Sequence, residues 1–465
     1  MFIETIKSPG LAQLSYLLGD EHAGECIVID PRRDAHIYID LAQEHDCRLV
    51  ASFDTHIHAD FVSGARELEE MADVPIYGGK SEEYGYTVNQ LEDGKLLEFG
   101  DLAVTCLHTP GHSPEHMCYL VRGGEGSEKD WGLFTGDTLF AGSVGRPDLA
   151  SGHNPEDLAE KLYHSIFEKI IPLGAGIIVY PGHGSGSPCG GSIGDRDQTT
   201  IGYEAEHNEK LLVSGRDEFV KKVLDDLPDE PAYYKRLKKL NAEGAELFGE
   251  IPELTGYTGG NLSDLLEKDR KGCQVVDVRE VAAFGAAHVP GALNIALRSS
   301  FPPWAGRVLC ADKPIVLIGQ FVEEILEAHD HLFRMGFDNV CGYLNGGMRT
   351  WIEGGFEIDQ IGLVSAHELN QLLNKNDAMT LLDVRTDAEW NEGHIPSAIH
   401  AFAAEIEEHL EKFDRQLPTV VYCGSDFRAD LAASLLRRNG FQNVSTLLGS
   451  VKAWLNAGFS MKKST

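Results

Sequence analysis

The stretch "DTHIHADF", residues 54 to 61, sets Asp54, His56, His58 and Asp60 within seven positions and then ends on Phe61. Imidazole nitrogens and carboxylate oxygens at this density are the donors of a divalent metal site. Three more such groups recur downstream: His112 in the turn after "LAVTCLHTPGH", Asp137 just past "WGLFTGD", and His183 in "GIIVYPGHG". Each follows a short apolar run that reads as a strand, as His56 follows "RLVASFDTH". A lone histidine reads as a hydrogen-bonded structural residue. Four strand ends that each deliver a metal-capable side chain read as one site on one rim.

A different chemistry sits in "VVYCGSDFRADLAASLLRR", residues 420 to 438. A strand runs into Cys423, and an amphipathic helix starts within a few residues. The backbone N–H groups of Gly424, Ser425, Asp426 and Phe427 then ring the sulfur near a helix N-terminus, which favours the thiolate. Arg428 adds a positive charge acting in the same direction. A carboxylate at Asp426 acts against it.

Residues 1 to about 245 alternate short strands, turns and a few helices, and "GEIPELTGYTGG" (249 to 260) reads as a linker. Beyond it the chain repeats: "CQVVDVREVAAFGAAHVPGALNI" (273 to 295) matches "MTLLDVRTDAEWNEGHIPSAIHA" (379 to 401) at an offset of 106 residues. The period suits a duplicated domain rather than a solenoid. Each copy alternates apolar runs with helical patterns, so each is expected to be an α/β unit with a mostly parallel sheet. Aligning "PIVLIGQFVEE" with "TVVYCGSDFRA" puts Ile318 opposite Cys423 and Glu323 opposite Arg428, so the first copy is read as inactive.

The 465 residues exceed what one core supports. A formal net charge of −33 excludes nucleic acid and anionic membrane as partners. No apolar run approaches the ~18 residues a membrane span needs. The N-terminus shows no signal-peptide pattern. Nine dispersed cysteines without a C-x-x-C pair suit a reducing cytoplasm.

The first half resembles the metallo-β-lactamase superfamily, whose T-H-x-H-x-D-H signature and distant His, Asp and His match Thr55, His56, His58, Asp60, His112, Asp137 and His183. The resemblance implies an αββα sandwich with the metal at one edge. Phe61 departs from it, replacing a histidine that helps bind a second metal. Among relatives with the reduced set, the chain is similar to persulfide dioxygenases. That implies one Fe(II) per chain on His56, His112 and Asp137, the two-histidine, one-carboxylate pattern of oxygen-activating iron. His58, Asp60 and His183 would then orient ligands or hold water. "GSVGRPDL" (142 to 149) resembles the same family, with Arg146 and Asp148 either an internal ion pair or a substrate contact.

Residues 362 to 460 resemble rhodanese sulfurtransferases, with Cys423 as the persulfide carrier. Asp426 and Ser397 stand where that family has glycine; Asp383, Arg385 and His394 match it and read as structural. The expected organisation is a dioxygenase domain at 1 to 248, an inactive rhodanese-like domain at 261 to 358 and an active one at 362 to 463. The resemblance implies a small-molecule thiol persulfide, O₂ and sulfite or thiosulfate as reactants, and a dimer or tetramer as the assembly. Cys189 is read first as packing and second as a sulfur holder. A zinc thioester hydrolase of the glyoxalase type and a sulfur-sensing scaffold are the competing readings.

Overall fold

The structure is a computed structural model that describes residues 1–123, 129–227, 229–269, 272–375 and 378–463. The chain divides into two compact units. One holds Met1–Pro252 with the short piece Phe333–Gly336, and the other holds the remainder from Glu253 onward.

In the first unit two six-stranded sheets pack face to face. The first runs in chain order through Phe2–Ser8, Gln13–Asp20, Glu25–Ile29, Arg48–Phe53, Ile76–Gly79 and Asn89–Leu91. The second orders Thr199–Thr200, Ile178–Pro181, Asp130–Gly136, Met117–Arg122, Leu102–His108 and Leu96–Phe99. Tyr16, Leu18, Ile29 and Phe53 of the first interdigitate with Val104, Met117, Tyr119 and Phe134 of the second. The alternate residues Leu17, Cys26 and Val28 face outward and are covered by Tyr38, Ala42 and Leu68 of the helices His36–Glu44 and Ala65–Ala72. The other sheet's outer face, with Leu120, Leu133 and Val179, takes Leu162, Phe219 and Val223 from Pro155–His164 and Arg216–Leu224. This is the expected αββα sandwich, its strands apolar on both faces because both are covered.

The helix that follows Phe61 starts only at Ala65. Ser63 explains the delay, since its hydroxyl donates to Asp54 at 2.9 Å and accepts the Ala65 N–H at 3.1 Å. The local side-chain bond turns the chain and drops Phe61 into the core.

The second unit contains two five-stranded sheets of one topology. The first orders Thr255–Tyr257, Val340–Leu344, Ile315–Ile318, Gln274–Asp277 and Leu293–Asn294; the second orders Gly362–Val364, Val444–Leu447, Thr419–Tyr422, Thr380–Asp383 and Ile399–His400. Every pairing in them is parallel. Part of the expected linker is therefore a strand: Thr255–Tyr257 forms an edge beside Val340–Leu344. Gly342 permits the approach, because a Cβ there would lie 2.2 Å from the Thr255 carbonyl oxygen. Among the described residues no helix is long and apolar enough to cross a membrane.

Candidate metal centre and sulfur-transfer loop

The chain carries His56, His112, Asp137 and His183 on the loops that follow four different strands of the sandwich. Their ends are pinned by long-range bonds. Tyr119 donates its hydroxyl to the Asp54 carbonyl at 2.6 Å, and the Met117 N–H donates to the Thr55 carbonyl at 2.8 Å. Gly136, at φ +46°, lets Asp137 turn inward; a Cβ there would lie 2.4 Å from Thr55 Oγ1.

One ligand atom each of His56, His112 and Asp137 lie within 4.8 Å of one another, and all three residues are buried. Nε2 of His112 is 3.6 Å and Nε2 of His56 3.9 Å from Asp137 Oδ2. That oxygen is buried without a hydrogen-bond partner among the described residues. The other ring nitrogens are spoken for. His112 Nδ1 donates to the Arg146 carbonyl at 3.0 Å. Thr55 gives its hydroxyl hydrogen to Asp30 Oδ2 at 3.0 Å, so the 2.9 Å contact with His56 requires Nδ1–H to donate. Both tautomers therefore leave bare Nε2 lone pairs pointing at an orphaned carboxylate oxygen. Burial lowers the pKa of both histidines, with the neighbouring imidazoles adding to the effect at His56. Burial alone would raise Asp137, but His183 holds it below the usual carboxylate range. Two neutral imidazoles and one carboxylate fit a divalent metal.

The residues expected to orient that set do different things. His183 lies between Asp137 Oδ1 at 2.7 Å and Asp60 Oδ2 at 2.8 Å, so neither ring nitrogen offers a lone pair outward. Burial opposes its charge, yet the two carboxylates lift its pKa well above the ordinary value. His58 faces Asp30 Oδ1 at 3.0 Å rather than the metal set. The Phe61 ring stacks at a tilt 4.3 Å from that of His58. A second donor group, Asp60, His183 and Cys189, is a poor ion holder: His183 is the carboxylates' cation, and burial pushes the Cys189 thiol well up. Arg146 is bidentate to Asp148 at 2.8 and 2.7 Å, so its side chain shapes the loop while its carbonyl aims His112.

Four supporting residues escaped the sequence reading. Asp30 follows the strand Glu25–Ile29, the same strand-end signal as the ligands. Glu115 accepts the Ile57 N–H at 3.0 Å, and His116 Nε2 takes the Asp137 N–H at 3.0 Å. Asn241 ties down the cluster's backbone through the carbonyls of His58 and Phe61, at 2.8 and 2.7 Å. No local signal marks that last residue, 180 positions from Phe61 in sequence. A cavity of about 380 Å³ opens beside the cluster, lined by Ala59, Leu149, Tyr234, Lys235, Lys238 and Lys239 among others. Tyr234 Oη lies 3.6 Å from Cys189 Sγ.

In the second unit, Cys423 follows Thr419–Tyr422, and Gly424, Ser425 and Asp426 lead into the helix Phe427–Arg438. The Asp426 N–H donates to Cys423 Sγ at 3.2 Å, and the Cys423 N–H donates to Ser450 Oγ at 3.1 Å. Asp426 occupies φ 105°, a conformation that favours the glycine usual in this loop. Arg428 bears on Cys423, but its fork is also bidentate to Glu389 at 2.6 and 2.8 Å. Burial opposes that carboxylate's charge, while Arg428 and Thr386 bring its pKa down to about 2. The positive charge expected to act on the sulfur is thus shared with Glu389. Asp383 and Arg385 pair bidentately at 2.8 and 2.6 Å, and Arg385 also donates to the Gly393 carbonyl.

The register corrects the alignment of the copies. Asp277 pairs with Ile318 as Asp383 pairs with Tyr422, so Gly319, not Ile318, stands at the place of Cys423. The first copy's loop is one residue shorter, because its helix begins at Val322. Gly347 then takes the place of Ser450, its Cβ position lying 2.8 Å from the Gly319 carbonyl oxygen. Glu323 keeps its place opposite Arg428.

Sequence comparison matches residues 8–183 to the metallo-β-lactamase superfamily, and residues 261–353 and 365–457 to the rhodanese-like domain. The chain belongs to the metallo-β-lactamase superfamily. Its particular architecture is a domain related to the persulfide dioxygenases followed by two rhodanese-like domains. It is 30% identical to "Persulfide dioxygenase ETHE1, mitochondrial" of Bos taurus, over 49% of this chain and 82% of that protein. It is 32% identical to "Hydroxyacylglutathione hydrolase cytoplasmic" of Arabidopsis thaliana over 36% of this chain, spanning only 62% of that relative. A crystal structure described as a metallo-β-lactamase from Staphylococcus aureus is 31% identical with a TM-score of 0.66, covering 74% of this chain and 98% of the other.

Proposed function

We propose that the first unit is a persulfide dioxygenase with one Fe(II) held by His56, His112 and Asp137, and that Cys423 carries sulfane sulfur. The observation that supports it best is the donor set itself: two imidazoles with fixed tautomers face an unpartnered aspartate oxygen, while Phe61 and the doubly bonded His183 leave a second ion little beyond the free oxygen of Asp60. Bound there, the metal supplies an open site for O₂ and a substrate sulfur. The balanced reaction is RSSH + O₂ + H₂O → RSH + H₂SO₃, in which the outer sulfur loses four electrons and O₂ gains them. Thr55 and the Arg146 carbonyl keep the imidazoles oriented, and His183 holds Asp137 anionic. Lys235, Lys238 and Lys239 share the cavity lining with Glu83, Glu230 and Glu243, Lys235 and Lys239 being paired with Glu230 and Glu243, so the lining offers a thiol carrier's carboxylates cations but no net positive charge.

At the second centre, sulfite attacks the outer sulfur of a Cys423 persulfide, giving thiosulfate and the free thiol; the reverse loads the cysteine. The functional boundaries follow as 1–248 for the dioxygenase, 261–358 for an inactive domain and 362–463 for the transferase. None of the nine cysteines, all among the described residues, is disulfide-bonded, which suits a reducing compartment, and a dimer or tetramer remains the assembly implied by the family. A glyoxalase-type zinc hydrolase is favoured by the Arabidopsis relative and opposed by Phe61. In purified full-length protein given Fe(II) and glutathione persulfide, Cys423→Ser is expected to keep sulfite formation and lose thiosulfate exchange. Loss of both together would contradict two separate centres, and exchange that survives would contradict the role of Cys423.

A further inference from the structure

Four residues inside the span of the inactive first repeat belong instead to the first unit: Phe333, Arg334, Met335 and Gly336. The helix Val322–Arg334 ends in them, and a helix end leaves its last carbonyls without intrahelical partners. Here all four carbonyls are taken up. Gly336, at φ +68°, turns its N–H back to the Phe333 carbonyl at 3.0 Å. Arg33 donates to the same oxygen at 3.1 Å, and Arg236 donates to the Met335 and Gly336 carbonyls at 2.8 and 3.0 Å. The Arg334 carbonyl accepts the Val62 N–H at 2.8 Å. A Cβ on Gly336 would stand 2.8 Å from Leu240 and 3.0 Å from Val62, so the turn fits closely against the end of the metal motif.

Arg334 grips two loops at once. Its guanidinium is bidentate to Asp34 at 2.9 and 2.8 Å with both side chains buried, while its backbone oxygen holds Val62. Asp34 lies four residues past Asp30, the carboxylate that takes Thr55 and His58 and so stands behind His56. Val62 lies two residues past Asp60, which receives one nitrogen of His183 while the other holds Asp137. Asn241 secures the Phe61 carbonyl and the Ser63 N–H on either side and leaves the Val62 N–H to Arg334. The loops that support His56 and Asp137 therefore meet at one arginine.

We propose that Arg334 is a positioning residue for the metal centre, and that the inactive repeat contributes this turn to the oxygenase unit in place of sulfur transfer. The functional metal unit then does not end at residue 248. The inference rests on His56, His112 and Asp137 being the metal set. Because metal and turn favour the same arrangement of the loops, their coupling is reciprocal: bound metal tightens the turn by the factor with which the turn tightens the metal.

The test uses full-length protein and Fe(II) under anaerobic conditions, without persulfide, so that binding is read and not turnover. By chelator competition, Arg334→Ala is expected to weaken Fe(II) affinity about two- to thirtyfold, the range for a residue acting through a contact network. Arg32 also pairs with Asp34 at 2.8 Å, so the substitution strands no buried carboxylate, and circular dichroism confirms the fold. Arg334→Lys is expected to recover part of the affinity. In wild type, Fe(II) is expected to slow hydrogen exchange in the peptides that hold Val62 and Phe333–Gly336, a readout that needs no variant. Wild-type affinity in Arg334→Ala would overturn the proposal, as would exchange at Phe333–Gly336 that Fe(II) leaves unchanged. A loss that Arg334→Lys does not relieve would overturn it too, marking Arg334 as packing only. A wild-type chain that binds no Fe(II), or whose affinity survives His112→Ala, would instead overturn the metal set itself, so the two failures are distinct.

Discussion

His183 Nδ1 donates to Asp137 Oδ1 at 2.7 Å and leaves the other oxygen of that carboxylate facing His56 and His112. The histidine works through the aspartate and holds no free lone pair itself. His183→Gln is therefore expected to weaken metal affinity about 10- to 100-fold, the usual effect of losing a partner that orients a ligand. Competition with a chromophoric chelator measures it, and an unchanged affinity would show that Asp137 needs no such support.

In the proposed reading Phe61 is the residue that separates one metal from two. Phe61→His returns an imidazole to a position 4.3 Å from His58 and on the His183 side of the cluster. Reconstituted with zinc, the variant is expected to bind more than one ion per chain, approaching two. A stoichiometry fixed at one would mean that the protonated His183, rather than the aromatic ring, keeps the second position closed.

The strand-end rule made the metal cluster legible: an apolar run followed by a histidine or aspartate places its side chain on the rim wherever both faces of the strand are covered. It also covered Asp30, which went unnoticed only because it lies before the motif. Asn241 and Glu389 were illegible because their roles exist only through contacts made across the fold, 183 and 39 residues from their partners. The duplicated sheets could be read from repeated apolar runs, but the register between copies could not, since a one-residue loop difference is invisible until Asp277 and Asp383 are seen paired. The glycines of "GEIPELTGYTGG" suggested a linker, but Thr255–Tyr257 within it is an edge strand whose close approach depends on Gly342 of its neighbour.

That register makes a prediction of its own. Gly319→Cys places a thiol where the first repeat lacks one, but Gly347 and Glu323 stand there in place of Ser450 and Arg428. The variant, combined with Cys423→Ser, is expected to acquire no persulfide from thiosulfate by intact-mass measurement. A gain of one sulfur would show that the cysteine alone suffices.

The Glu389–Arg428 pair gives a pH signature. The carboxyl is depressed from 4.5 to about 2 in the folded chain. Its contribution to stability is therefore complete above the unfolded value and lost as pH falls from 4.5 toward 2. Solvent screening at this half-buried site limits the contribution to about 1 kcal/mol. Glu389→Gln is expected to lower the thermal midpoint of the second unit at pH 7 and to lower it clearly less near pH 2.5. An equal loss at both values would show that the pair acts through packing rather than charge.

The central claim is a single ferrous centre that consumes oxygen. Anaerobic reconstitution with Fe(II), followed by metal analysis and oxygen uptake on adding glutathione persulfide, tests it most directly. The account predicts one iron per chain and one O₂ consumed for each sulfite formed. Two tightly held metals per chain, or zinc-loaded protein that cleaves a glutathione thioester while no oxygen disappears, would contradict it.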